Sequence, residues 1–241
     1  MKINVLTLFP DMFGAIQESI LGRAIENEHL ELNIINIRDY TKDKHNRVDD
    51  TPFGGGAGMV MQVEPIKLAI DNSNLKGRCI YMSPRGKQLD KEIAMELSEE
   101  KEFTILCGHY EGIDQRVIDM YEMEEITIGD YVLTGGELPA MVLIDTVARF
   151  IEGVLSSEES ALEESIYSGL LEYPQYTKPR EIYGKAVPEV LCNGNHKLIK
   201  LWKLEKSLEL TKENRPDLFE SYMKNHGELG KEELKILNKF K

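Results

Sequence analysis

Short apolar runs and longer amphipathic stretches alternate along the first 150 residues. The runs at 3–8, 32–37, 79–82, 103–107 and 125–128 are four to six residues long and rich in Ile, Leu, Val and Thr. Their length and β-branched content predict strands. Between and after them, 12–27, 64–72, 88–98, 113–121 and 137–151 carry the spacing of helices. Strands separated by helices imply right-handed βαβ crossovers and a mostly parallel sheet, so the fold class is α/β. Residues 40–62 have neither period. They are polar, then glycine-rich, and too long for a plain connection, which predicts a functional loop.

Past this region the pattern changes. Residues 152–168 hold five glutamates and five serines in seventeen positions, a composition that reads as a flexible linker. An irregular segment, Gly169-Leu-Leu-Glu-Tyr-Pro-Gln-Tyr-Thr-Lys-Pro-Arg180, follows. Helical runs then occupy 195–210, 216–225 and 231–240, so the C-terminal part is predicted all-helical.

Three predicted strands end in loops that carry chemistry. The most informative is Ile126-Thr-Ile-Gly-Asp-Tyr-Val-Leu-Thr-Gly-Gly-Glu-Leu-Pro139, in which a β-branched run enters a glycine loop and a long apolar helix begins. Such a loop leaves backbone N–H and C=O groups free to meet a small molecule. Leu106-Cys-Gly-His-Tyr-Glu-Gly112 and Tyr81-Met-Ser-Pro-Arg-Gly86 also follow short apolar runs. Three strand-end loops in one sheet predict a ligand crevice.

Composition narrows the class. With 241 residues, 41% hydrophobic and 29% charged, the chain has the make-up of an ordinary globular protein with ample length for a core. A net charge of −13 argues against a dominant basic footprint, although a local positive patch suffices for nucleic acid. Cys79, Cys107 and Cys192 show neither a CxxC pairing nor a disulfide framework, and Cys79 and Cys107 read as small buried hydrophobes. Neither a signal peptide nor a membrane span is readable, so a cytoplasmic, reduced protein is expected.

Individual residues leave several readings open. Gly54-Gly-Gly-Ala-Gly58 contains GxGxG, yet it follows Arg47-Val-Asp-Asp-Thr-Pro-Phe53 rather than a strand. The first strand is followed by Phe9-Pro10-Asp11 without glycine, so a dinucleotide fingerprint is absent. The glycines are either a mobile surface loop or a backbone surface beside a substrate. Asp49-Asp50 could hold Mg²⁺, a weak two-carboxylate signal. Glu111 and Asp114 read as N-terminal caps, with Glu111 alternatively a ligand contact, and His109 as an exposed loop residue. His29, His45, His196 and His226 lack metal-binding spacing. Asp145 and Arg149 stand at i,i+4 on a helix apolar nearly all round, which predicts burial by core or by a partner subunit. Seven cations (Lys178, Arg180, Lys185, Lys197, Lys200, Lys203, Lys206) face three acids (Glu181, Glu189, Glu205). They form either a solvated face or a phosphate-contacting one.

The ordered set of Phe9-Pro-Asp-Met-Phe13, Val48-Asp-Asp-Thr-Pro-Phe-Gly-Gly-Gly-Ala-Gly-Met59, Cys107-Gly-His-Tyr-Glu-Gly-Ile-Asp-Gln-Arg116, residues 128–150, Gly169-Leu-Leu-Glu-Tyr-Pro-Gln-Tyr-Thr-Lys-Pro179 and Val187-Pro-Glu-Val-Leu-Cys-Asn-Gly-Asn-His196 spans nearly the whole chain. Together these segments closely resemble the bacterial tRNA (guanine-N1)-methyltransferases of the TrmD type, within the SPOUT superfamily. The resemblance implies a SPOUT-type parallel sheet threaded into a deep trefoil knot, an exception to the no-knot rule, plus a small all-helical C-terminal domain. The implied boundaries are 1–155 for the knotted domain, 156–168 for the linker and 169–241 for a tRNA-binding domain. The implied reaction is methyl transfer from S-adenosyl-L-methionine to N1 of guanosine 37 of tRNA, by a homodimer with each active site at the subunit interface.

The same resemblance implies cofactor contacts from Tyr81, Met82, Pro84, Gly108, Tyr110, Glu111, Ile128, Gly129, Tyr131, Leu133, Gly135, Gly136 and Pro139. Substrate contacts would come from Asp50, Gly54, Gly55 and Ser165. N1 of guanine carries a proton, so a general base and a cation near O6 are required. The family's Arg corresponds to Arg149, and its aspartate position holds Glu164, one methylene longer. The expectation is a working enzyme with Glu164 as base, in a linker that orders over the bound guanosine. Mg²⁺ is an open companion. The rivals are a knotted methyltransferase acting on ribose 2′-O or ribosomal RNA, a nucleotide-dependent oxidoreductase, and a non-catalytic RNA-binding protein of the same fold.

Overall fold

Five parallel strands carry the loops of interest in the computed structural model, which describes residues 1–155 and 166–240. The strands β1 (Lys2–Thr7), β2 (Glu31–Asn36), β5 (Arg78–Gln88), β6 (Glu102–Cys107) and β7 (Glu124–Thr127) are ordered β2-β1-β6-β5-β7. Every pairing in this sheet is parallel, as the alternating pattern predicts. Two short strands, β3 (Asp49–Asp50) and β4 (Val60–Met61), form a separate antiparallel pair.

The sheet is covered on both faces, which is why its strands read as nearly continuous apolar runs. Side-chain alternation sorts them. Ile3, Val5, Ile80, Met82, Phe103, Ile105 and Cys107 pack on one face with Phe13, Leu97, Leu143 and Val147. Leu6, Tyr81 and Leu106 turn to the other, against Ile37, Ile66, Ala69 and Val117. The helices α2 (Val63–Asn72), α3 (Lys91–Ser98), α4 (Gln115–Tyr121) and α5 (Glu137–Ala148) supply most of the covering residues, Phe13 and Ile37 come from short 3-10 helices, and α1 (Ser19–Glu26) adds Leu21 and Ala24 to the first face.

Three predicted elements differ in the structure. The helix expected at 12–27 is a 3-10 helix over Pro10–Gln17 and then α1, divided where Glu18 is extended and Ser19 has φ 58°. The strand expected at 79–82 continues to Gln88 after a register break. Met82 and Lys87 both oppose Ile126, so Ser83-Pro84-Arg85-Gly86 bulges from the sheet. The structureless 40–62 contains β3 and β4, and their pairing, with Gln62 N–H donating to Val48 O at 2.8 Å, closes the base of the glycine loop.

The chain divides into two units, Met1–Glu158 and Glu159–Lys241. The second has its own core of Leu170, Leu208, Phe219, Ile236 and Leu237, supplied largely by α6 (His196–Asn214), α7 (Pro216–Asn225) and α8 (Lys231–Leu237). It departs from the all-helical expectation by one hairpin, β8 (Glu181–Ile182) with β9 (Lys185–Ala186). These two-residue strands are too short to show any period in the sequence. Most of the predicted 156–168 linker, with Glu164 and Ser165, lies outside the described residues. Among the described residues, no helix is long and apolar enough to cross a membrane.

Candidate functional site

The loops after β6 and β7 and the bulge within β5 enclose a cavity of about 500 Å³, within the range of small-molecule sites. Of the residues singled out for cofactor contact, Tyr81, Met82, Pro84, Gly108, Tyr110, Glu111, Ile128, Tyr131, Leu133, Gly135, Gly136 and Pro139 line it. Gly129 does not. It is held just behind, its N–H donating to Thr127 Oγ1 at 3.3 Å and its carbonyl accepting from Tyr131 N–H at 2.9 Å.

The walls are backbone packed on backbone. Gly136 N–H donates to Gly108 O at 2.8 Å, and His109 pairs with Gly135 as an isolated antiparallel bridge. A Cβ on Gly136 would stand 2.8 Å from Cys107 Cα and 2.9 Å from Gly108 N. Only glycine permits that approach between the first turn of α5 and the end of β6. Tyr81 lies beneath Gly108, whose Cβ would stand 2.7 Å from the Tyr81 ring. Burial, with Glu125 next, pushes the Tyr81 phenol above its ordinary value.

The lining is mixed. Met82, Ile126, Ile128, Leu133 and Pro139 are apolar, and Ser83, Arg85, Glu111, Gln115, Thr127 and Thr134 are polar. That combination suits an amphiphilic ligand such as a nucleoside with a charged tail, so the donor set fits S-adenosyl-L-methionine. Arg85 grips Glu125 through Nη2 and Nε at 3.0–3.2 Å and Gln115 Oε1 at 3.3 Å. This clamp holds the bulge against β7 and the start of α4.

Glu111 and Asp114, which sequence spacing treats as a pair of caps, separate. Asp114 caps α4, accepting from Arg116 N–H at 3.0 Å, and the Arg116 guanidinium holds its carboxyl below the usual range. Glu111 lines the cavity instead, its N–H donating to Met59 O at 3.0 Å. A Cβ on Gly58 would come within 2.5 Å of the Glu111 side chain, so the loop following Asp50, Gly54 and Gly55 leans on the cavity mouth. Those three residues are not among the lining residues themselves. Asp50 accepts from Thr51 N–H at 2.7 Å, and no group of three or more potential metal-binding side chains gathers among the described residues.

His109 corrects its reading as an exposed loop residue. Its side chain is 23% exposed, packs on Phe9 at a tilt with ring centroids 4.8 Å apart, and lines the cavity. Its Nε2 lies 3.9 Å from Glu137 Oε2. Nothing in the sequence distinguishes Glu137 or its donor Thr7, because an acid opening an apolar helix looks like an ordinary first-turn carboxylate. Arg149, at the C-terminal end of α5, is about 15 Å along the helix from Pro139 at 1.5 Å per residue and is not a lining residue. Cys107 is buried, as expected, and burial followed by the Glu137 charge raises its thiol well above the usual value. Cys79 is partly buried and Cys192 exposed.

Comparison with known proteins bears on this geometry. The family described as tRNA (Guanine-1)-methyltransferase TrmD matches residues 1–221. A tRNA (guanine-N(1)-)-methyltransferase of Ruminiclostridium cellulolyticum is 56% identical over 224 residues, covering 91% of this chain and 96% of that protein. One from Clostridium perfringens strain 13 is 53% identical over 239 residues, 98% of this chain and 99% of the relative. A third, from Clostridium botulinum strain Hall, is 52% identical over 243 residues, covering 100% and 98%.

Proposed function

The chain belongs to the tRNA (guanine-1)-methyltransferase family, and from that premise we propose that it methylates N1 of guanosine 37 in tRNA, using S-adenosyl-L-methionine. The carrying observation is the cavity at the ends of β5, β6 and β7, walled by glycine backbone and lined by twelve of the thirteen residues the resemblance implies. When bound there, the donor supplies an electrophilic methyl group on a sulfonium.

The protein's own tasks are positional and acid–base. Tyr81, Met82, Pro84, Gly108, Tyr110, Glu111 and the Ile128–Pro139 loop residues hold the donor. Asp50, Gly54, Gly55 and Ser165 hold the guanosine. A Glu164 carboxylate oxygen takes the N1 proton, and the Arg149 guanidinium stabilises the charge that develops on O6.

The finer assignments are part of the same proposal: a SPOUT trefoil knot, a homodimer, tRNA contact through 169–241, and a cytoplasmic setting. Two features support the dimer. Arg149 stands a helix length from the cavity of its own chain, and Val132, Leu138 and Val142 are exposed apolar residues beside that cavity and on α5, Val132 at 80%. A partner subunit would cover such a patch. Mg²⁺ is assigned no step.

The test is transfer of labelled methyl to unmodified tRNA bearing guanosine at 37, repeated with that position changed. Transfer only to the guanosine-37 substrate is expected, with loss of turnover in Glu164→Gln and Arg149→Ala while donor binding persists. Label transfer independent of position 37 overturns the specificity. Unchanged turnover in Glu164→Gln removes that residue as the base.

A further inference from the structure

Glu137 is the only fully buried charged side chain among the described residues, 1% exposed, and the reaction described above gives it no task. Burying a carboxylate is costly unless hydrogen bonds and nearby charge compensate. Compensation here is partial. Thr7 Oγ1 donates to Glu137 Oε1 at 2.8 Å. The Thr7 oxygen itself accepts from Phe9 N–H at 2.9 Å, which leaves the hydroxyl proton for the carboxylate. Glu137 is also the first residue of the twelve-residue α5, where the helix dipole favours an anion. The only basic side chain within 4 Å, among the described residues, is the His109 imidazole at 3.9 Å.

Its position gives this charge a direction. A Cβ on Gly135 would fall 2.5 Å from Glu137 Oε2 and 2.7 Å from His109 Nε2. Gly135 lines the cavity. The carboxylate therefore lies directly behind a stretch of wall that carries no side chain, with buried Cys107 and Thr7 on its other sides. A charge separated from a cavity by one backbone layer, in a medium poorer than water, acts across that layer with little screening.

We propose that Glu137 is a specificity-determining residue: its buried charge makes the cavity prefer a sulfonium-bearing donor over the neutral thioether that remains after transfer. This rests on the reading that the cavity takes S-adenosyl-L-methionine. In transfer, the N1 lone pair forms the new N–CH₃ bond while the S–CH₃ electron pair stays on sulfur, so the ligand loses its positive charge. The attraction from Glu137 ends with that step. The spent ligand is then held by its adenosine and amino-acid ends alone, which favours its release over renewed occupation.

Calorimetry with three probes tests this. S-adenosylmethionine carries the sulfonium, S-adenosylhomocysteine is the neutral thioether, and sinefungin carries an ammonium at the corresponding position. In the wild-type protein both cationic ligands should bind more tightly than the thioether. In Glu137→Gln, which keeps size and hydrogen bonding, binding of the cationic ligands should weaken roughly tenfold, about 1.4 kcal/mol, while the thioether changes less than about twofold. Glu137→Asp, which keeps the charge, should retain the preference. Equal weakening of all three ligands in Glu137→Gln makes the residue merely structural and overturns the proposal, as does no change in any of them. If Glu137→Gln does not fold, the wild-type comparison and Glu137→Asp decide alone: a wild-type protein that binds the thioether as tightly as both cations overturns it. Failure of all three ligands to bind wild-type protein overturns the donor reading instead.

Discussion

Gly136→Ala tests the central structural argument, that the cavity exists because α5 begins in backbone contact with β6. Gly136 has φ −81° and ψ −5°, a conformation any residue adopts, so alanine brings no backbone strain of its own. The whole effect must come from the added carbon, 2.8 Å from Cys107 Cα and 2.9 Å from Gly108 N. Ordinary contact begins near 3.4 Å, and both obstacles are main chain. The start of α5 must therefore move about 0.5 Å from β6, stretching the 2.8 Å Gly136–Gly108 hydrogen bond. Overpacking of this kind typically destabilises by about 1–3 kcal/mol, and displacing the binding wall weakens its contacts with the ligand. Urea unfolding should show a lower midpoint at unchanged slope, and calorimetry with S-adenosylmethionine a weaker Kd. Gly14→Ala is the control, since nothing lies within 4 Å of its Cβ. A Gly136→Ala protein matching wild type within about 0.5 kcal/mol, with unaltered Kd, refutes the reasoning.

Two further outcomes follow from the hydrogen bonds. Arg78 holds Glu124 through Nη2 and Nε at 2.6 and 2.8 Å, tying β5 to β7, and it keeps the Glu124 carboxyl below its usual 4.5. A depressed folded-state value stabilises above about pH 4.5 and is lost as pH falls below it. Arg78→Met should therefore lose less stability than wild type between pH 7 and 3, by under about 1 kcal/mol for so exposed a pair. Equal acid sensitivity in unfolding titrations would remove the ion pair as a contributor. In the second unit, buried Thr211 Oγ1 accepts from Leu171 N–H at 2.8 Å and donates to Ser207 O at 2.6 Å. Thr211→Val leaves the Leu171 N–H unpaired and should destabilise this unit by about 1–3 kcal/mol. The single tryptophan, Trp202 in α6, reports the transition by fluorescence, and an unmoved midpoint counts against that account.

The parts legible in the chain are those with strong local signals. The runs at 3–8 and 103–107 became β1 and β6 within one residue at each end, because a strand covered on both faces must be apolar nearly throughout, and the run at 32–37 became the edge strand β2 with the same precision on its apolar Leu32, Ile34 and Ile35. The motif segments around Gly108 and Gly135, legible as glycine loops after apolar runs, form the cavity wall. The β5 bulge was illegible, since Ser83-Pro84-Arg85-Gly86 reads simply as a loop after a strand. Only the return of Lys87 and Gln88 to β7 shows that the strand resumes.

His109 and Glu137 mark the deeper limit. Alone, a histidine between glycines looks solvated and an acid before an apolar helix looks like a cap. Their juxtaposition requires β1, β6 and α5 to meet, bringing Thr7, His109 and Glu137 together across 130 positions of chain. Periodicity and motif chemistry act over a few residues, so they were enough to read the main strands and helices and the ligand-facing loops, but not the short pairs β3–β4 and β8–β9 or the bulge in β5. Burial and electrostatics depend on what surrounds a group in space. Tertiary structure alone decided that one carboxylate would be sealed behind a glycine wall, because desolvation is a property of the packed environment and not of the residue that experiences it.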